Sequence, residues 1–200
     1  MNRILIFLMI SLFFFSCSSN SFDTKEALLT YIQDEDNGYL QNKRVNGYDF
    51  SLLLKPTDLL VHQELSENYK EEDIKRLRNK YAKNMYFTLS MSRDNKELLS
   101  TTPKSRQEFG AMVNQLAFGM DKKVHLFTQK KDTLELLDYV YPRMYGMSKA
   151  TTMLFVYKKE EKDLKNEYLN LTIEDLGTYT GEVKFKIPTK KIKSEPKLKF

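Results

Sequence analysis

Residues 1–16 determine where the rest of this chain can fold. Arg3 is the only charged residue before Cys17, and residues 4–15 read ILIFLMISLFFF, which is apolar except for Ser11. A short basic start, an apolar core and a small residue before the polar chain are typical of a secretory signal peptide. A membrane-spanning helix needs about 20 apolar residues, and this run is shorter. The sequence therefore predicts that the remaining chain folds outside the cytoplasm.

The single cysteine of the chain stands where the apolar run ends. The residues Phe14-Phe15-Ser16-Cys17 resemble the lipobox of Gram-negative bacterial lipoproteins, with Ser16 matching the small residue before the cysteine. Phe14 stands where that family usually has leucine, and Phe15 where it usually has a small residue. The resemblance implies cleavage before Cys17, a diacylglyceryl group on its sulfur and an acyl chain such as palmitate on the new amino terminus. More than one acyl chain gives stable anchoring, here to the inner or outer membrane.

Two alternatives to lipidation stay open, namely ordinary secretory cleavage with an incidental cysteine and an uncleaved anchor. In either case the chain has no second cysteine, so it forms no intrachain disulfide and depends on packing for stability.

The formal net charge is +5, from 32 basic and 27 acidic residues, and this mixed balance argues against a nucleic-acid partner. We expect residues 17–22 to be the lipidated cysteine and a tether, residues 23–189 a single domain, and residues 190–200 a basic tail.

Local patterns predict an α+β domain with a largely antiparallel sheet and two to four helices. Asn46-Gly47 lies between two strand-like runs, 39–45 and 48–54, and predicts a hairpin because both residues accept positive φ in a type I′ turn. Asp23 or Thr24 can cap a helix with the sequence KEALLTYIQ. Further helices are predicted from Thr57 or Asp58, over 71–83 and from Ser105, and further strands over 85–92, 123–129, 134–141, 151–158, 167–174 and 182–187, with a hairpin tip at 130–132.

Few residues qualify for metal binding or catalysis. His62 and His125 are the two histidines, so a site rich in histidine or cysteine is excluded, and no cofactor or metal is predicted. A structural histidine is the simpler interpretation of both, although each could serve as a general base. The acidic turn 34–38 does not fit a calcium loop, because its sixth and twelfth positions lack the required glycine and glutamate. Motifs for a serine nucleophile and for a phosphate loop are missing, whereas a hydrolase with paired carboxylates stays open.

The most distinctive internal segment is residues 138–148, between two predicted strands. Our candidates for binding a partner are Tyr139, Tyr141, Arg143 and Tyr145. Tyrosine and arginine are enriched at binding hot spots, and methionines of the same segment offer an adaptable apolar surface. The alternative is that the rings pack the edge of a sheet while Arg143 caps a carbonyl or pairs with an acid.

Lysines recur towards the end of the sequence, and two interpretations apply to them. They could contact anionic lipid head groups beside the acyl anchor, or they could keep a strand face soluble. The residues concerned are Lys184, Lys186, Lys190, Lys191, Lys193, Lys197 and Lys199.

The sequence as a whole favours a non-enzymatic, membrane-anchored binding or accessory protein of the cell envelope, including one of the immunity or inhibitor type. Its partners would be the membrane, through the lipid anchor, and another envelope protein. The alternative is a hydrolase of cell-wall or glycan substrates. A cleft with convergent carboxylates, or a histidine beside an acid, would favour the hydrolase, whereas an exposed patch of tyrosine and arginine would favour binding.

Overall fold

A computed structural model describes residues 21–200, so the predicted signal peptide and Cys17 lie outside the described residues. The helices are α1 Lys25–Gln33, α2 Thr57–Glu64, α3 Glu71–Tyr81, α4 Leu98–Thr101, α5 Arg106–Phe118 and α6 Thr189–Lys193. The strands are β1 Ser21–Phe22, β2 Leu40–Val45, β3 Tyr48–Leu54, β4 Asn84–Arg93, β5 Val124–Phe127, β6 Leu136–Val140, β7 Thr151–Lys158, β8 Tyr168–Ile173, β9 Val183–Pro188 and β10 Lys197–Leu198. This is the predicted α+β class, and the four longer helices lie where the sequence predicts helices. The short helices α4 and α6 are additional.

The centre of the fold is a five-stranded antiparallel sheet in the order β2-β3-β4-β7-β6. Successive side chains of a strand point to opposite faces, so each strand presents one face to the core. In β4, for example, the sequence alternates with Met85, Phe87, Leu89 and Met91 on one face, and all four are buried. The alternation in the sequence therefore identifies the core face of this sheet correctly.

The β2–β3 hairpin is confirmed. Val45 pairs with Tyr48, which leaves Asn46 and Gly47 as the two loop residues, with φ of 49° and 79°. Positive φ at both positions is the mark of a type I′ turn, whose twist matches that of the flanking strands.

A three-stranded antiparallel sheet, β5-β8-β9, shares one hydrophobic core with the larger sheet. The Tyr157 hydroxyl donates to the Val124 carbonyl at 3.1 Å and so links the two sheets. The predicted tip at 130–132 is a tight turn, in which the Thr128 N–H donates to the Asp132 carbonyl. Phe127 and Thr133 form an antiparallel bridge across this turn, so the predicted tip is confirmed locally. Beyond the bridge β5 pairs with β8 and β6 pairs with β7.

Residues 190–200, predicted as a basic tail beyond the domain, are part of the fold. Ile192 and Leu198 are buried in the core, and β10 pairs in parallel with β1 through Phe22 and Leu198. The lysines of this segment alternate with apolar residues that are buried in the domain. The high charge of the segment is the reason that its sequence does not indicate this packing. The domain thus includes both the first and the last described residues.

The two ends of the five-stranded sheet carry different elements. At the terminal end, β3 stops before Pro56 and α2, and Lys159, which follows β7, donates to the Ile192 carbonyl of α6. Helix α2 also contacts β10, so the paired strands β1 and β10 lie at this end. At the opposite, turn end lie the Asn46-Gly47 turn, the last residue of β4 and the first residue of β7.

Candidate binding groove

An apolar groove of about 380 Å³ opens at the turn end of the five-stranded sheet. Helix α5 lines it with Phe109 and Val113, and α4 lines it with Leu99 and Ser100. The chain that follows the edge strand β6 supplies the remaining side chains, together with Glu97. Three of the four residues predicted to bind a partner are among them, namely Tyr141, Arg143 and Tyr145.

A tight turn shapes the rim of the groove. Tyr145 and Gly146 have φ of 51° and 82°, and the Met147 N–H donates to the Met144 carbonyl at 2.9 Å. Two central residues with positive φ define a type I′ turn. The turn leaves Tyr145 and Met147 each 80% exposed. Clusters of exposed large apolar side chains mark interaction surfaces.

Further exposed apolar side chains lie on the elements that border the groove. Strand β6 contributes Leu137 and Val140, helix α5 contributes Phe109, and the turn contributes Met144. Strand β6 is also an edge of the five-stranded sheet and pairs only with β7 among the described strands. An edge strand beside an apolar groove is the kind of surface to which a second chain can bind.

Tyr141 places a polar group inside the apolar groove. Its hydroxyl oxygen is buried and has no hydrogen-bond partner within residues 21–200. Burial raises the pKa of the Tyr141 hydroxyl, the Glu97 carboxylate raises it further, and the Arg143 guanidinium opposes the change. A buried hydroxyl without a partner is unfavourable, so a ligand that supplies one would be stabilised there.

Glu97 is the second polar group of the groove, and sequence reasoning missed it. Its side chain is only 2% exposed, and one carboxylate oxygen accepts a hydrogen bond from the Ser148 N–H at 3.0 Å. Within the described chain no cation pairs with this carboxylate. The sequence holds 27 acidic residues, and nothing in the order Lys96-Glu97-Leu98 distinguishes this one.

Tyr139, the fourth predicted binding residue, lies away from the groove. Its ring stacks on Phe155 with centroids 5.8 Å apart, and its hydroxyl accepts from the Met120 N–H at 3.4 Å. Tyr139 therefore packs against the core, which is the alternative interpretation of the segment. Successive side chains of a strand point to opposite faces, so Tyr139 and its exposed neighbour Val140 lie on different faces of β6.

The two histidines lie apart from the groove and from each other. His62 is exposed on α2, with its ring 6.4 Å from that of Phe200. His125 lies beside an acid, with Nε2 3.2 Å from Glu174 Oε1. The same carboxylate binds Lys123 Nζ at 2.8 Å, so the three side chains form a partly exposed polar network on the outer side of the three-stranded sheet.

A charged cleft of about 660 Å³ lies beside the ends of β5 and β7 and contains several carboxylates. Lys162 and Lys158 lower the pKa of the Glu160 carboxyl to about 2. Burial raises the pKa of the Asp163 carboxyl, which is only 8% exposed and accepts no side-chain hydrogen bond from the described residues. Residues 21–200 contain no cluster of three or more histidine, cysteine, aspartate or glutamate side chains suited to a metal ion.

Comparisons with known proteins add little to this description. No protein-family model and no curated protein matches the sequence. A Burkholderia pseudomallei protein of unknown function, known from a crystal structure, is similar over 84% of this chain and 86% of its own, with 11% identity and a TM-score of 0.42. A similarity of this size carries no argument about function. None of the helices within residues 21–200 has the length and apolar character needed to cross a bilayer.

Proposed function

We propose that this chain is an envelope lipoprotein, anchored through Cys17, that acts as a non-enzymatic binding or accessory protein. The groove beside Tyr141, Arg143 and Tyr145 is its partner-binding site. The observation that carries the proposal is the combination of exposed Tyr145 and Met147 with an apolar groove lined by Tyr141, whose buried hydroxyl has no hydrogen-bond partner within residues 21–200. The anchor rests on the lipobox-like residues of the sequence alone.

The chemistry of the groove favours a protein partner over a small polar ligand. Its walls are mainly apolar, so a partner gains affinity by inserting an apolar side chain. The buried Tyr141 hydroxyl and the Glu97 carboxylate favour a side chain that also ends in a hydrogen-bond donor. Arg143 is exposed at the rim, where a carboxylate of the partner can pair with it. An immunity or inhibitor protein would use such a surface to cover part of a toxin or an enzyme.

Affinity capture from solubilised envelopes tests the proposal. The tagged wild-type chain should recover a reproducible partner protein, and the double variant Arg143→Ala/Tyr145→Ala should lose most of it. The matched control is Arg44→Ala/Tyr179→Ala, which removes the same residue types from exposed positions outside the groove. Equal recovery by both variants, with the fold intact by circular dichroism, would rule out the groove as the binding site.

A second candidate function is a hydrolase of cell-wall or glycan substrates, favoured by the charged cleft. Glu160 and Asp163 line the same cleft, and their pKa values shift in opposite directions. Acid–base catalysis can use two carboxyl groups of which one is ionised and the other keeps its proton to a higher pH. Incubating the purified chain with cell-wall glycan should then release reducing ends, and Asp163→Asn should abolish the release. No release above a heat-inactivated sample counts against this function.

A further inference from the structure

We propose that the terminal end of the domain contacts the membrane directly and binds anionic lipid head groups through the lysines of α6 and β10. This inference rests on the proposed lipoprotein function and extends it to the orientation of the domain. The first argument is the reach of the anchor. Strand β1 begins at Ser21, four residues after Cys17. Four residues span at most about 14 Å in any conformation, so a lipid on Cys17 holds the bilayer close to β1.

The second argument is the charge of the surface around β1. Four exposed lysines lie on residues 189–200, namely Lys190, Lys193, Lys197 and Lys199. Lys199 Nζ pairs with Asp23 Oδ1 at 2.6 Å, so the excess positive charge is carried by the other three. The one acidic residue in that stretch is Glu195, which is largely covered and already pairs with Lys159 at 3.3 Å. Lys197 is the register partner of Ser21, so this positive charge lies beside the residues that lead to the anchor.

The third argument is the presence of aromatic side chains beside these lysines. Tyr69 is 40% exposed, and its ring lies edge-on to that of Phe200 at 6.3 Å. Both rings border a shallow groove of about 460 Å³ that also includes Lys25 and Lys199. Tyrosine and lysine side chains together are suited to the head-group region, where an apolar ring and a charged end are both stabilised. Acids also border the groove (Asp23, Glu26 and Glu67), so the excess positive charge comes from α6 and β10.

The arrangement sets the direction in which the candidate binding groove points. The groove lies at the turn end of the five-stranded sheet, and the lysines lie at the terminal end. Strand β4 connects the two ends with ten residues, a length of about 30 Å. A domain seated on the bilayer by its terminal end therefore presents Tyr145 and Arg143 away from the membrane.

The test uses residues 18–200, a chain that includes the whole described domain and has no cysteine to acylate. Its sedimentation with vesicles is measured at low salt, with phosphatidylcholine alone and with one third of the lipid replaced by phosphatidylglycerol. We expect a preference for the anionic vesicles that Lys193→Gln/Lys197→Gln reduces by about fivefold for each lysine removed. The control variant Lys104→Gln/Lys149→Gln, whose exposed lysines lie near the turn end, should bind as the wild type does.

Two results would overturn the inference. One is equal binding to both kinds of vesicle, and the other is an equal effect of the two double variants. Because the test chain lacks Cys17, its outcome does not depend on whether the cysteine is acylated in the cell. Failure of this surface is therefore distinguishable from failure of the lipid anchor, which mass spectrometry of the mature amino terminus reports separately.

Discussion

The Asp58 carboxylate and the Arg78 guanidinium meet at two points, with Nε at 2.9 Å from one oxygen and Nη2 at 2.6 Å from the other. The same two side chains bind the backbone of Leu198, whose N–H donates to Asp58 and whose carbonyl accepts from Arg78, each at 2.8 Å. Asp58 is almost fully buried, and the hydrogen bond from Arg78 to it raises the pKa of the arginine. One ion pair thus joins α2, α3 and the C-terminal strand.

Removing Arg78 should destabilise the domain strongly. Arg78→Ala leaves the buried Asp58 carboxylate without its cation and the Leu198 carbonyl without a donor, so we expect the free energy of unfolding to fall by about 3 kcal/mol. Urea denaturation followed by circular dichroism measures this change. The control is Lys75→Ala, which removes the exposed pair with Glu71 and should change the stability by less than about 0.5 kcal/mol. A similar small effect for both variants would contradict the assigned role.

Two glycine substitutions should have opposite signs. Gly47 has φ of 79° in the hairpin turn, so Gly47→Ala should lower the free energy of unfolding by about 1–2 kcal/mol. Gly110 lies within α5 with open space around the position of a Cβ, so Gly110→Ala should raise the same quantity by about 0.5–1 kcal/mol. Thermal or urea denaturation of the pair gives both values, and a stabilising Gly47→Ala would contradict the type I′ geometry.

The Tyr141 hydroxyl should contribute to binding but not to stability. Because this hydroxyl is buried without a partner, Tyr141→Phe should leave the free energy of unfolding unchanged or raise it by up to about 1 kcal/mol. Recovery of the partner should fall at the same time. The control is Tyr157→Phe, which deletes the hydrogen bond to the Val124 carbonyl and should destabilise the domain by about 1 kcal/mol. A clear loss of stability in Tyr141→Phe would show that the hydroxyl has a partner in solution.

Asp163 should make the stability of the domain depend on pH. Burial raises the pKa of its carboxyl in the folded state, so the folded state binds more protons than the unfolded state between the two pKa values. Its contribution therefore becomes destabilising as the pH rises above the unfolded value of about 3.9. Asp163→Asn should match the wild type in stability at about pH 3 and exceed it at about pH 7. A stability difference independent of pH would contradict the burial of an ionised carboxylate.

Cys17 should decide whether the protein stays with membranes. The wild-type chain should fractionate with the envelope, whereas Cys17→Ala should appear in the soluble periplasmic fraction or remain as an uncleaved precursor, because it has no thiol to acylate. Ser18→Ala is a suitable neighbouring control and should behave as the wild type does. A water-soluble mature protein with an unmodified Cys17 would exclude the lipoprotein assignment.

The features that the sequence predicts best are those decided within a few residues. The φ preferences of Asn46-Gly47 specify the hairpin, and the side chain of Thr24 caps α1 by accepting from the Ala27 N–H at 3.1 Å. The alternation of Met85, Phe87, Leu89 and Met91 along β4 identifies its buried face in the same way. Each of these signals depends on neighbours in sequence, so a single chain contains enough information to read them.

Relationships between distant residues are the features that the sequence does not reveal. Strands β5 and β6 are separated by a tight turn yet enter different sheets, because β5 pairs with the distant β8 whereas β6 pairs with β7. Three of the residues proposed to bind a partner, Tyr141, Arg143 and Tyr145, line one groove, but Glu97 joins them from a segment about 45 residues earlier in the sequence. Tyr139 was predicted to bind a partner with them because it is a tyrosine of the same segment. Its position in β6 instead places its ring against the core.

The pairing of β1 with β10 has a consequence for the order of folding. Phe22 and Leu198 belong to the first and last strands of the described chain, so their contact closes almost its full length. Contacts of such separation form late, because the entropy of closing a long loop opposes them. A chain exported from its amino terminus would therefore remain open until its last residues had crossed, and the finished domain would assemble only after translocation.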